Sequence, residues 1–534
     1  MVRAAAVIAT GPERPGGRVF GILLALYLLI LYPILRANRY FNDDLKRALI
    51  GHTGWDSNGR PLTTLLMKLL QCYDSALVDI SPLTQILAIG VLAWTGVLIA
   101  RRYAIRSPWM AALVAFPLGA QPFYLENLSY KFDSLSMSLA ILLALLPVLS
   151  LGAERRGWWL GVISLFASLN FYQPAINVTL IFVLLDVVLA QLHEVPPSQW
   201  LKQLVSRILQ IGLTILFYQL LVGIHIHGWV GRESQKIHSL GQLPLLATNT
   251  ADFYRFIGSA FNRQWWTYFL PLLIVLALFP LLIGIRYALK RRTQLAPWRV
   301  VALVIGSAVL LVAALLCIAG PMLLLLTPEF SARVLMGAGA LLVAGLVCMQ
   351  AALAHWHRSA HWALAAGCVL AAGMCSFASA YGNALAEQKA YEDRIAASLA
   401  DDLAQLRASN GVREFLLDGT IGLSPITAHI ADEFPLINSL IAPYIASKDA
   451  FHTTDFLMYY IDGVVNLGPL ADPVSRALQS DVLTRAPSTT ALRTTSAYSL
   501  RVIDKVALVT LNAAPAQSRA AANRPTPRRA HFFR

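Results

Sequence analysis

The sequence predicts a polytopic, all-α membrane protein of about eleven transmembrane helices with a small soluble α/β domain at its C-terminal end. Three observations predict it. Of 534 residues, 57% are hydrophobic and only 13% charged, where soluble globular chains run at roughly 45–50% and about 25%. The apolar excess comes in blocks of about 17–25 residues, the length that spans a bilayer core at about 1.5 Å per helical residue. Beyond about residue 381 the blocks stop and shorter apolar runs separated by turn residues take over. A soluble enzyme, a disordered chain, a collagen-like fibre and a small disulfide scaffold are excluded. So is an outer-membrane barrel, whose strands would alternate apolar and polar residues.

Taken in order, the first apolar run, Val19 to Leu35, is too long for the apolar core of a secretory signal, and no small-residue cleavage site follows it. It reads as the first membrane helix. Further spans are expected near 84–100, 108–121, 134–151, 158–171, 174–193, 207–228, 267–285, 300–326, 334–353 and 362–380. The third and fifth are short for a crossing.

Forty-three Lys and Arg against 29 Asp and Glu give a net charge of +14. On a soluble protein that excess would suggest nucleic acid. Here the cations sit mostly in short connections: Arg101, Arg102 and Arg106; Arg155 and Arg156; Lys202 and Arg207; Arg286 to Arg299; and Arg358. The positive-inside rule places those connections, and the N-terminal residues 1–18, in the cytoplasm. The alternate connections, chiefly 37–83 and 229–266, then face outward. An odd number of spans puts the C-terminal region outward too, so the chain reads as a multi-pass membrane protein with an outward C-terminal domain and no nucleic-acid partner. Four of the five cysteines lie in apolar blocks without metal spacing and read as small hydrophobes.

The C-terminal region, 381–512, reads as α/β. Leu385, Ile395, Leu399, Leu403 and Leu406 are spaced for one face of a helix over 383–408. Glu414 to Leu417 reads as a strand ending at the turn Asp418-Gly419. Ser499 to Ile503 and Val506 to Thr510 read as a hairpin through Asp504-Lys505. Residues 513–534, rich in Ala, Pro and Arg, read as a disordered basic tail.

Four polar clusters fall on the expected outward side. The first holds Asn42-Asp43-Asp44 and then Trp55, Asn58 and Arg60. Adjacent acids directly after a membrane helix suit a general base for a hydroxyl, or ligands for a divalent cation at Asp43/Asp44; either acid would equally serve as a helix N-cap. A ring, an amide and a cation beside that pair suit sugar and phosphate recognition. The second is Glu126 to Asp133, where Lys131 and Asp133 flank the start of the fourth span and Tyr130 and Lys131 would also serve as interfacial anchors. The third is the Pro-broken corner Asn170 to Pro174, with Tyr172 and Gln173. The fourth is Glu329 to Arg333, whose cation suits a phosphate oxygen or a helix-end anchor. Asp186, deep in the sixth span, lies toward the other side and reads as a structural pair. His225, His227 and His238 do not match zinc spacing, and no metal site is assigned. No nucleotide phosphate loop is present. Carboxylates, Lys and Arg gathered at one membrane face suit an enzyme acting on a lipid-linked substrate; a transporter would hold them at mid-bilayer.

These motifs resemble the membrane glucosyltransferases of phage-type O-antigen serotype conversion. The resemblance rests on Asn42-Asp43-Asp44 after the first span, Gly54-Trp55, Gly59-Arg60-Pro61-Leu62, Tyr130-Lys131-Phe132-Asp133-Ser134 and the Tyr172-Gln173 corner. It runs along about 20–380 and more loosely beyond. It implies a C-type glycosyltransferase architecture, a polyprenyl-phosphate-linked sugar, usually glucose, as donor on the periplasmic face, and a lipid-linked O-antigen or other surface glycan as acceptor. The expected reaction is an inverting displacement. Asp43 or Asp44 is the expected catalytic base. Lys131, Arg333 and Arg60 (or Arg47) are expected to bind the donor phosphate, and Trp55, Asp133, Tyr172 and Gln173 the sugar. The alternatives are transfer of another sugar, a flippase or transporter for a polyprenyl-linked glycan, and a non-catalytic assembly protein.

Overall fold

A computed structural model of the chain describes residues 16–72, 75–152, 154–226, 231, 235–447, 450–470 and 472–512. The expectations for most of the N-terminal residues 1–18, for His227 and for the basic tail 513–534 lie outside the described residues. The chain divides into two compact units, one of Met1–Pro33 with Ile50–Ser379, the other of Ile34–Leu49 with Ala380–Arg534.

The first unit is helical. Its long helices are α1 (Gly16–Ala37), α2 (Leu83–Arg102), α3 (Ser134–Leu149), α4 (Arg155–Phe171), α5 (Ile176–Leu192), α6 (Pro197–Leu221), α7 (Arg263–Lys290), α8 (Pro297–Leu316), α9 (Met336–His355) and α10 (His361–Asn410). Helices α1 and α10 carry residues of both units. Each expected span contains helix among the described residues, and eight described helices are long and apolar enough to cross a membrane. The helices at the expected spans 108–121, 134–151 and 158–171 fall short of that length: Pro108–Ala115 is followed by Pro117–Ala120, α3 has 16 residues and α4 has 17. The expected span 300–326 stops at Leu316, because Gly320, at φ +52°, and Pro321 redirect the backbone into a short 3-10 turn. The ends of α2, α3 and α5 are tied by Arg102, whose guanidinium donates to Val148 O at 3.0 Å and to Asp186 at 2.9 Å. Asp186 is thus the structural pair expected of it.

The second unit is an α/β domain. Strands β1 (Glu414–Asp418), β2 (Val465–Asn466), β3 (Arg493–Thr494), β4 (Tyr498–Ile503) and β5 (Val506–Leu511) form one sheet in the order β2-β1-β5-β4-β3. The first three strands of that order are parallel, and β5-β4-β3 are antiparallel. The β4–β5 hairpin turns at Asp504 and Lys505, with φ of +47° and +68°, the positive pair that a two-residue turn matching strand twist requires. Along β5, Ala507, Val509 and Leu511 pack on Ile395, Leu399 and Leu403 of α10, while Val506 and Leu508 on the other face pack on Val482 of α11 (Pro473–Arg485). Strands buried on both faces read as continuous apolar runs, and this one does.

Two features of the unit differ from the sequence expectation. The helix expected over 383–408 is the C-terminal part of α10, 50 residues long, continuous with the expected last span. Nothing between Ser379 and Asn383 breaks it, since Gly382 alone costs a helix only about 1 kcal/mol. And the segment Ile34–Leu49, expected as part of the outward loop 37–83 of the membrane domain, packs with the C-terminal residues. Leu45 joins their core, and Arg39 pairs with Glu392 at 3.0 Å, both buried. Arg39 also donates to Ala442 O at 2.7 Å and lies 3.9 Å over the Tyr444 ring.

Candidate functional site

The first cluster is split between the units. In the second unit, Asp43 lies 3.6 Å from both Arg47 and His452, with its side chain 46% exposed. Asp44 is fully buried at the first turn of the helix Asp44–Ile50, where its carboxylate accepts the Phe41 N–H at 3.4 Å. A divalent cation at Asp43 and Asp44 would have to displace two basic side chains from Asp43. Among the described residues, no group of three His, Cys, Asp or Glu side chains is placed to hold a metal.

In the first unit, sequence-distant residues converge. The segment from Gly54 to Pro61 is a tight turn held by Asn58 N and Arg60 N on Trp55 O, at 3.1 and 2.9 Å. Gly59 makes it possible. Its φ is +71°, and a Cβ there would stand 2.4 Å from Tyr218 Oη and 2.6 Å from Ile226 Cδ1. The turn brings Trp55 and Arg60 together on one oxygen. Trp55 Nε1 donates to Asp133 Oδ1 at 2.8 Å, and Arg60 Nη2 donates to the same atom at 2.7 Å. Trp55 is fully buried and Asp133 nearly so.

The corner at Tyr172 closes the other side of Arg60. Tyr172 leaves the end of α4 in an extended conformation, at φ −161°, as the Pro two residues on prevents the helix from continuing. The helix-end carbonyl of Phe171 then has no intrahelical partner, and it accepts from Arg60 Nε at 2.8 Å and Thr63 Oγ1 at 3.2 Å. The Tyr172 ring lies 5.0 Å from the Arg60 guanidinium. Gln173 Nε2 donates to Asn58 O and Tyr218 Oη, at 2.9 and 2.8 Å, locking the turn from below.

Tyr172 also reaches the fourth cluster, its hydroxyl donating to Arg333 O at 3.4 Å. Burial pushes that phenol well up, so it stays a donor. Arg333 sits in the 3-10 turn Ala332–Val334 and is gripped at both backbone groups: its N–H donates to Glu126 Oε2 at 2.8 Å, and its carbonyl accepts from Asn127 Nδ2 at 3.3 Å. The guanidinium donates to the Tyr130 hydroxyl and to Glu329 at 2.5 Å, and its side chain remains 26% exposed. Burial raises the Glu126 carboxyl to about 7, against the opposing pull of Arg333. Lys131, also buried, faces Asp79 at 3.5 Å.

The expected site residues Trp55, Arg60, Asp133, Tyr172, Gln173 and Arg333 therefore form one connected network. Lys131 adjoins it through the Tyr130–Asp133 segment. Asp43 and Asp44 belong to the other unit. The sequence reading gave no role to Glu126, Asp79, Tyr218 or His452. Glu126 carried a signal, being an acid in a largely apolar stretch; the other three carried none, because their partners are remote in the chain. Chemically, the network offers one partly open guanidinium beside a carboxyl that titrates near neutrality, backed by an indole, a phenol and an amide: groups that suit an anionic phosphoester and sugar hydroxyls.

The glucosyl transferase GtrII family model matches residues 32–344, more than half the chain, and the chain belongs to that family. It is also 25% identical to an uncharacterized 55.3 kDa protein in the gtrB 5' region of Salmonella phage P22, over 439 residues that cover 81% of this chain and 88% of that protein. No solved structure matches.

Proposed function

We propose that this membrane glucosyltransferase moves a glucosyl group from a polyprenyl-phosphate donor to O-antigen or another surface glycan, on the periplasmic face of the bacterial inner membrane, in a C-type glycosyltransferase architecture. The observation that carries the proposal is the Arg333 cluster, a partly open cation at the end of a largely buried polar network of a helical membrane chain of this family.

The donor phosphate is taken by Arg333. Glu329, its exposed counter-ion, is the anion a phosphate displaces, so the guanidinium is not left uncompensated at any stage. Lys131 adds a second positive charge. As the glycosidic bond breaks, negative charge grows on the leaving phosphate, and fixed cations in a dry site stabilise it most. Arg60 is held by Asp133 and serves first as the strut that orients Trp55 and Asp133, which with Tyr172 and Gln173 hold sugar hydroxyls. The acceptor hydroxyl loses its proton to a carboxylate as the new bond forms at the opposite face of the anomeric carbon, with inversion; of the two expected acids, Asp43 is the more accessible. Asp44 sets the turn that presents it. The reaction needs no metal in this scheme.

The test uses purified full-length protein with polyprenyl-phosphoglucose and glycan acceptor, reading release of polyprenyl phosphate and gain of glucose on the acceptor. Asp43→Asn is expected to abolish transfer at normal membrane levels, with Asp44→Asn reducing it through folding. Full activity in both variants would remove the acids from the chemistry. Translocation of the donor without transfer would favour the flippase alternative, to which the pairing of Asp186 with Arg102 gives no support.

A further inference from the structure

Arg333 is carried by a loop that its own packing does little to place. The chain leaves α8 at Leu316, turns through Gly320–Leu324 and returns through Ala332–Val334 to enter α9. From Leu324 to Ser331 no residue is buried, so apolar burial holds little of this stretch. Two buried amides on other elements hold it instead. Asn177, fully buried in the first turn of α5, donates through Nδ2 to Ile318 O and Ala319 O, both at 3.2 Å, and to Val334 O at 3.4 Å. One amide nitrogen therefore ties the carbonyls at both ends of the loop 319–334. The amide oxygen lies against Gly320, where a Cβ would collide with it. Asn249, 4% exposed on the helix Pro244–Ser259, donates to Leu323 O and Leu325 O at 3.0 and 2.8 Å, in the middle of the same loop. Beside it, Ile237 N–H donates to Leu324 O at 2.8 Å and Leu326 N–H to Gln235 O at 2.9 Å. Phe253, one helical turn beyond Asn249, meets the Phe330 ring at 4.6 Å.

We infer that Asn177 and Asn249 are positioning residues of the glucosyltransferase, which fix the loop 319–334 so that Arg333 meets the donor's phosphate. The inference rests on the reading of Arg333 as the cation that takes that phosphate. Compact loops with adjoining ends commonly carry functional groups. A buried backbone carbonyl needs a donor, and a side-chain amide that supplies one from a separate helix fixes the chain at that point. Asn177 closes the stems, with one of its acceptors directly after Arg333; Asn249 fixes the middle. Glu126 and Asn127 then grip the Arg333 backbone itself. Among the described residues neither Asn177 nor Asn249 bonds the Arg333 side chain, so both act through the backbone that presents it and leave the guanidinium to its exchangeable partner Glu329. Placement matters because a misplacement of about 1 Å can cost about 10²-fold in rate.

The test compares Asn177→Ala and Asn249→Ala, each alone and combined with Arg333→Lys, in purified full-length protein supplied with polyprenyl-phosphoglucose and glycan acceptor. Each single variant should lower transfer about tenfold or more. Hydrogen exchange in peptides from 319–334 should quicken about tenfold or more, while peptides from the middle of α9 keep the wild-type rate. In the Arg333→Lys background either alanine should lower transfer by less than about twofold, because the group they position is already impaired; independent losses would multiply. A merely stabilising role would not produce that non-additivity. Asn249→Ala, on a helix whose outer face is exposed, carries the test if Asn177→Ala folds poorly. Multiplying losses, wild-type transfer in the single variants, or unaltered exchange in the loop would overturn the inference while leaving the role of Arg333 intact. Wild-type transfer by Arg333→Lys alone would remove the donor-phosphate reading itself, and this inference with it.

Discussion

Arg39 and Arg60 are near neighbours in sequence, each holds a carboxylate in a nearly water-free setting, and they belong to different units. Around Arg39, the Glu392 carboxylate also takes Gln388 Nε2 and the Tyr444 N–H, both at 2.9 Å, and the guanidinium is capped by the Tyr444 ring. Around Arg60 the network continues outward, through Tyr172 to Arg333, and ends in a cation still partly open beside an acid poised near neutrality. A buried ion pair therefore does not mark a site in this protein. What distinguishes the two regions is that the first is a closed clamp and the second ends in a cation whose side chain is 26% exposed.

That contrast can be broken experimentally, most forcefully at the clamp. Arg39→Met leaves Glu392 as an uncompensated buried charge and should cost about 3–5 kcal/mol, read as a lowered melting midpoint of the purified protein and faster proteolysis of the C-terminal unit. A melt like that of the wild type would show that the clamp is dispensable. At the open end, Arg333→Lys keeps the charge but loses the planar fork; transfer should fall about 10²–10³-fold, as for loss of one stabilising donor, with melting unchanged. Equal damage to stability and activity would erase the distinction.

Glu126 gives a pH test. Its folded pKa of about 7 lies above the ordinary carboxyl value of 4.5, so the folded state holds this proton more tightly than the unfolded one. The contribution is complete below about pH 4.5 and is lost as pH rises through 7, on the order of 3 kcal/mol. Glu126→Gln should flatten the melting profile across that window, and an unaltered slope would contradict the burial of this carboxyl. Next in size, Trp55→Phe removes one donor from Asp133 and should lower transfer about fivefold through an effect of about 1 kcal/mol. The smallest effect is expected from Glu329→Gln, which relieves the competition for Arg333 and should lower the donor KM about threefold, the scale of an exposed ion pair. A raised KM there would mean that Glu329 helps to bind the donor.

The β4–β5 hairpin was legible because Asp504-Lys505 turn chemistry and the flanking apolar runs lie within a few residues of each other. The strand at Glu414 was legible for the same reason, with Gly419, at φ +92°, supplying its turn. The membrane helices were legible from block length, except where a boundary depended on context, as in α10, which runs on through Gly382. The site was legible as residues and not as pairs. Trp55 and Asp133 stand 78 positions apart, Arg333 and Tyr130 203. Nothing in either local sequence states that the first pair shares an oxygen and the second a hydrogen bond.

Composition and periodicity, which act within one or two turns of chain, determined that this protein is a membrane-embedded helical chain with an α/β end and polar groups gathered at helix termini. Tertiary structure alone decided that Ile34–Leu49 belongs with the C-terminal unit, that Arg60 pairs with Asp133, and that Arg333 stays partly open. Those outcomes depend on which carboxylate lies nearest in space, and the energy of a buried charge is set by such neighbours far more than by its place in the sequence.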